Sequence, residues 1–332
     1  MNKARRKAGI GELLVWAIGL VVGLHGAMVQ AQPSWPTRQL RIVSPLAPGG
    51  PVDLLARLIA AGLQERHKQA AIVENIAGGN GIIGMDNVRR ATPDGHTLIV
   101  APSGYLTINP TLMNNLPYVV ERDFLPVAML AKAPNVMVAH PSLGAGNVRE
   151  LLTLGKAKSG SLAFASPGVG SGLHLAGELF NQETGLSMLH VPYKGTGPAL
   201  NDVLSGHVPL MFGNLHSLLP HIQSGKLRAI GITDTVRASV APSIPTIAEQ
   251  GAAGVIATSW YGLLAPAGTP AGVTAILARD VSEILNGAVT REQLNAQGLA
   301  VWTLSSGEFR DLVRSEGLAW ARIIKDRQIV AQ

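Results

Sequence analysis

From Leu40 onward the chain repeats one pattern. A short β-branched or apolar run is followed by a Gly/Pro/Ser loop and then an amphipathic stretch, as in βαβ units. The run 40–44 stops at Pro45. Beyond the loop that ends at Pro51, Leu54, Leu55, Leu58, Ile59, Ala61 and Leu63 recur at helical spacing and predict a helix over 52–64 with one buried face. A second strand at 71–74 leads through a glycine-rich loop to a helix at 85–91, and Pro93-Asp94-Gly95 turns the chain into a strand at 97–101. The apolar runs 127–130 and 136–140 predict passage into a second lobe. There the pattern returns as strand 162–165, loop 166–171 and a helix through Leu179. Strand 188–191, loop 192–197 and helix 198–204 follow, with Pro198 in the permissive first turn. Strand 210–212, a helix at 218–223 and strand 227–233 complete that lobe. Residues 259–265 return the chain to the first lobe, on which helices 271–285, 290–297 and 306–325 pack as a C-terminal cap. The expected fold class is α/β: two lobes (32–130 plus 262–332, and 131–261), each with a central, mainly parallel sheet flanked by helices, joined by a two-crossing hinge.

The first residues follow a different rule. Lys3, Arg5, Arg6 and Lys7 precede an apolar stretch at 13–24, and Val29-Gln30-Ala31 offers a small-residue cleavage site, so 1–31 reads as a signal peptide cut near Ala31/Gln32. Gly19, Gly23 and His25 interrupt the apolar stretch, which falls short of the ~20 residues that span a bilayer. Export to the periplasm is the expectation. Removing the leader takes away four of the 27 Lys and Arg and one of the 21 Asp and Glu, lowering the net charge from +6 to +3. That excess suits anionic small molecules, but it is spread along the chain without the basic clusters of nucleic-acid binders, and aromatic residues are only 4%. With no cysteine there is no disulfide framework, zinc-thiolate site or thiol nucleophile. At 332 residues, 47% of them hydrophobic, packing alone is enough to build two cores.

Two loops carry the candidate chemistry. Ala47-Pro48-Gly49-Gly50 and Ser166-Pro167-Gly168-Val169-Gly170-Ser171 each join a strand end to a helix start with little side-chain bulk. Backbone N–H groups there face the space beyond the strands' carboxyl ends, where unpaired amides and the helix dipole favour an oxygen-rich anion. Glycines also serve plain tight turns, and that reading stands beside the first. Asp53, in the first turn of the first helix, fits capping better than contact with a carboxylate ligand. Ser103 and Gly104 end the strand 97–101 in the same way as the two loops. His174 can donate to an anion or be satisfied locally, with the local role favoured, and Lys194 reads as a solvated lysine. Enzyme signatures are weak. Gly79-Asn80-Gly81-Ile82-Ile83-Gly84 matches the dinucleotide fingerprint, but the acidic residue expected after the next strand is missing. Gly225-Lys226 lacks the rest of a phosphate loop, Ser171 lacks the first glycine of a nucleophile elbow, and His216 and His221 are five apart with no acidic cluster. No catalytic residue, metal or cofactor is expected.

Several stretches together resemble a known family: PLAPGGPVDLLAR (45–57), PDGHTL (93–98), INPTL (108–112), LAFASPGVGSGLHLAGELF (162–180), HVPYKGTGPAL (190–200), LPHIQSGKLRAIGIT (219–233) and SWYGLLAPAGTP (259–270). They are similar to the substrate-binding proteins of tripartite tricarboxylate transporters, also called Bug or TctC-like receptors. The resemblance covers nearly the whole mature chain. It implies a type II periplasmic-binding-protein fold, no enzymatic activity, and capture of a small organic carboxylate by backbone amides and bridging waters. It also implies a monomer that delivers its solute to membrane permease subunits. The family's first loop maps onto Ala47, Pro48, Gly49 and Gly50. Its second-lobe loop maps onto Ala165, Ser166, Pro167 and Gly168, with Ser171 and His174 just after, and Ser103, Tyr193 and Asn214 supply the other walls. Gly213 stands where many members carry an acidic residue, which argues against an amino-acid ligand. An exported enzyme in the same cleft and a sensor docking a membrane signalling protein are the rivals; turnover tests the first, neighbouring genes for membrane subunits the second.

Overall fold

The computed structural model describes residues 35–157 and 161–331. The expected leader lies outside them, and the account below concerns the unit that begins at Arg38. Its strands are β1 (Leu40–Ser44), β2 (Ala71–Asn75), β3 (Thr97–Pro102), β4 (Phe124–Ala133), β5 (Asn135–Ala139), β6 (Ala163–Ser166), β7 (Leu189–Pro192), β8 (Leu210–Asn214), β9 (Arg228–Ile232), β10 (Ser259–Pro266) and β11 (Ala300–Val301). They form a six-stranded sheet in the order β11-β4-β10-β3-β1-β2 and a five-stranded sheet in the order β7-β6-β8-β5-β9. The helices are α1 (Pro51–His67), α2 (Ile82–Arg89), α3 (Ser103–Thr107), α4 (Asn109–Leu112), α5 (Val120–Asp123), α6 (Val148–Ala157), α7 (Gly172–Thr184), α8 (Thr196–Leu204), α9 (Leu215–Gln223), α10 (Ala271–Asn286), α11 (Ala288–Ala296) and α12 (Ser306–Asp326).

Local chemistry explains where these elements start and stop. Pro51 opens α1, where its missing N–H costs nothing, and Lys68 closes it in a left-handed conformation with its amide on the Gln64 carbonyl. Val52, Leu55, Ile59 and Leu63 form the buried face of α1 against the six-stranded sheet, each contributing about 1.5–3 kcal/mol. A capping box of Ser305 and Glu308 begins α12.

The sheets are mixed, a correction to the mainly parallel expectation. β1 pairs parallel with β2 and β3, and β6 with β7 and β8. The strands that carry the chain between sheets run the other way. β4 takes it out and β10 brings it back, so they lie side by side and antiparallel, from Ser259 against Ala133 to Pro266 against Phe124. β5, entering the second sheet directly after Pro134, is antiparallel to both β8 and β9.

The C-terminal cap also reaches further than expected. Phe309 and Val313 of α12 join the core of the six-stranded sheet, whereas Trp320, Ile323 and Ile324 of the same helix belong to a cluster built around the five-stranded sheet. At 21 residues α12 is about 30 Å long, enough to serve both. Gly262 lets it approach, since a Cβ there would sit 2.1 Å from the Phe309 ring. Two chain crossings and this helix therefore join the sheets.

Candidate functional site between the two sheets

A cavity of about 230 Å³ lies where the two halves meet. Asn80, Ser103, Gly104, Tyr105, Asn109, Ser259 and Tyr261 face it from the six-stranded side, and Gly170, Ser171, Gly172 and Leu173 from the five-stranded side. Each wall is the end of a strand or the start of a helix. Ser103 and Gly104 open α3 directly after β3, and Ser259 and Tyr261 alternate on β10 with Trp260 pointing the opposite way. Ser171 caps α7, its hydroxyl accepting the His174 amide at 3.1 Å; the Gly172 and Leu173 amides at the start of that helix have no acceptor within it. Gly170 adopts φ +75°, and a Cβ there would sit 2.1 Å from Leu112 Cδ2, so only glycine lets the α4 end of one half close on the loop of the other.

No charged side chain lines this space. Burial pushes the Tyr105 and Tyr261 phenols up to about 12, so both stay neutral O–H groups. Asn80, in the left-handed region at φ 51°, donates to Asn109 Oδ1 at 3.2 Å, and Asn109 donates back to the Asn80 carbonyl at 3.1 Å. The arrangement can offer amides, amide side chains and hydroxyls to a small polar guest, and it holds no nucleophile–base pair. Among the described residues no group of acidic, histidine or cysteine side chains is placed to hold a metal.

Of the residues singled out from sequence, Ser103, Gly104 and Ser171 meet in this cavity. Ala47, Pro48, Gly49, Gly50, Asp53, Ala165, Ser166, Pro167, Gly168, His174, Tyr193 and Asn214 are not among its lining residues. The Ala47–Gly50 loop is exposed apart from its last residue, and the Gly49 amide donates to Asp53 at 3.1 Å. Asp53 is buried and also accepts from Arg57 and Asn75, so it shapes the loop. Ser166 is fully buried against His190, and both His174 ring nitrogens face protein atoms. The Tyr193 hydroxyl turns to Asp202 at 2.5 Å. Asn214 donates to Asn135 at 2.7 Å, in a polar cluster with Ser259 where the chain crosses between sheets. A side chain at Gly213 would meet Leu218, not this cavity.

Sequence reasoning placed Gly170 within a candidate loop but missed Asn80, Tyr105, Asn109, Gly172, Leu173, Ser259 and Tyr261 as residues lining this cavity. Three signals were available: the glycines around Asn80, the INPTL stretch and the alternation in Ser259-Trp260-Tyr261. The fingerprint-like run at 79–84 is a 3₁₀ turn (Gly79–Gly81) feeding α2, and its Asn80 belongs to the cleft.

A family model, the tripartite tricarboxylate transporter family receptor, TctC, matches residues 55–329. The chain belongs to this family. TctC receptors are solute-binding proteins, not enzymes. BugT of Bordetella pertussis is 34% identical over 315 residues, covering 94% of this chain and 97% of BugT. A protein of R. palustris solved with adipate is 32% identical with a TM-score of 0.76, covering 89% of this chain and 99% of that one. MatC of Rhodopseudomonas palustris, solved with bound malate, is also 32% identical, with a TM-score of 0.72 over 87% of this chain and 100% of MatC. The two-sheet fold is thus that of periplasmic binding proteins.

Proposed function

We propose that this TctC receptor captures a small dicarboxylate in the cleft between its sheets and delivers it to the membrane subunits of a tripartite transporter. One observation carries the reading: the cavity is lined from both halves by neutral donors and by no charged side chain. Its volume lies below the roughly 300–1,000 Å³ of drug-sized pockets, which suits a metabolite of a few carbons. The Gly172 and Leu173 amides point one carboxylate to α7, where the helix dipole favours negative charge. The Ser103, Tyr105 and Tyr261 hydroxyls and the Asn80–Asn109 pair take the rest of the solute in this reading. Micromolar affinity corresponds to about −8 kcal/mol. Charge-assisted hydrogen bonds at roughly 1.5–3 kcal/mol each reach it with four or five contacts, provided that little ordering is needed. The glycine-shaped loops meet that condition because their turns are already formed. Closure adds the second wall to a solute docked on the first, and the closed surface signals loading to the permease. The exported, leader-cleaved form is the working state.

Isothermal titration with adipate, L-malate and the neutral adipamide tests this. At least one dicarboxylate is expected to bind and raise the melting temperature, adipamide is expected not to, and Ser103→Ala combined with Tyr261→Phe is expected to weaken binding by about ten-fold or more. A panel of mono-, di- and tricarboxylates that all leave the melting temperature unchanged would refute it.

A further inference from the structure

Behind the cleft wall, a stacked histidine pair, His174 buried and His190 half-buried, ties the binding loop to the C-terminal helix. The His174 and His190 rings stack 3.7 Å apart at 14°. His174 Nδ1 accepts the Gly170 amide at 3.0 Å, which requires that nitrogen to be unprotonated and places the ring proton on Nε2, toward Glu178 at 3.8 Å. Glu178 is buried and is held by Arg327 at 2.6 Å, just past the end of α12. At the other end of the loop, His190 Nε2 lies 2.7 Å from Ser166 Oγ. That hydroxyl also bonds both the amide and the carbonyl of Gly168, at 3.2 Å each. Ser171 Oγ donates to the same carbonyl at 2.8 Å. Between these anchors runs the segment whose Gly170, Ser171, Gly172 and Leu173 line the cavity.

We propose that His174 is a positioning residue for solute capture: its unprotonated Nδ1 fixes the Gly170 peptide and thereby aims the first-turn amides of α7 into the cleft. His190 and Ser166 fix the loop's other end, and the Arg327–Glu178 pair transmits the placement of α12 to it. Burial is the main influence that holds His190 down at about 4, so its ring is neutral beside Ser166. The titratable or charged groups facing the pair are each other, Glu178 from α7 and Arg327 from the C-terminal end, with the Phe164 ring stacked 6.4 Å from His174 and tilted 5.1 Å from His190.

The inference rests on the cleft being the carboxylate site, so its test includes a readout that needs no ligand. Asparagine places its side-chain oxygen near the position of Nδ1, whereas glutamine reaches toward Nε2. His174→Asn is therefore expected to bind adipate or L-malate within about three-fold of wild type, and His174→Gln about ten-fold or more weaker. In the ligand-free protein, hydrogen-exchange protection of the Gly170 amide should survive in His174→Asn and fall about ten-fold in His174→Gln. Equal affinities and equal Gly170 protection in the two variants would overturn the proposal. Failure of every carboxylate to bind the wild type, with the exchange difference intact, would instead overturn the ligand reading alone.

Discussion

Asp53 carries its function through its neighbours. The hydrogen bond from Arg57 is the main influence holding its carboxyl below the usual value, burial opposes it, and Asn75 and the Gly49 amide add to it. Because the folded value is depressed, the stabilisation is present above the unfolded pKa near 3.9 and is lost as pH falls through the folded value. Asp53→Asn should cost about 1–3 kcal/mol at neutral pH, toward the lower end because Arg57 is largely exposed, with the gap from wild type closing below about pH 4 in urea titrations. A gap of constant size at every pH would contradict this. A local structural use of a carboxylate in the first helical turn was legible, but instead of capping the helix Asp53 accepts the Gly49 amide of the preceding loop. Tyr105, Asn109 and Tyr261 were not, because each becomes a cleft residue only when a strand end and a helix start far apart in sequence meet.

At the scale of elements, α12 shows what packing adds to periodicity. Its apolar spacing announces one buried face, but that face serves two sheets. Midway along it Glu316 takes the Trp260 Nε1–H on both carboxylate oxygens at 2.9 Å, and burial raises its pKa to about 7 against the opposing pull of that bond. A raised folded value means that the stabilisation is complete below the unfolded pKa near 4.3 and disappears as pH rises through about 7. Wild type should therefore lose up to about 3 kcal/mol between about pH 5 and about pH 8, and Glu316→Gln should flatten that slope. Chemical denaturation at the two pH values checks it, and parallel pH profiles would be the contrary result. Most helix and strand positions were legible from hydrophobic spacing. The short α3, α4 and α5 were not, since each is too brief to show a period, and α6 and the two-residue β11 went unread as well.

For the whole molecule, the question is how independently two sheets behave when three connections join them. Ile108 and Leu112, next to the cleft, share a hydrophobic cluster with Leu173 of α7 and with Trp320 and Ile323 of α12. A single calorimetric transition is expected for the unit from Arg38 onward. Trp320→Ala should lower stability by about 3–5 kcal/mol and broaden or split that transition. Two resolved transitions in the wild type would show that the shared cluster does not couple the halves.

Most of the strands and longer helices, the βαβ grammar, the absence of enzyme signatures and the family were written in the sequence, because they depend on local periodicity, turn chemistry and motif spacing. Tertiary structure decided which strands run antiparallel, which residues of each loop meet in the cleft and which sheet each end of α12 packs on. Those outcomes depend on contacts between segments far apart in the chain, such as Leu112 against Gly170 or Arg327 against Glu178, which no window of neighbouring residues contains.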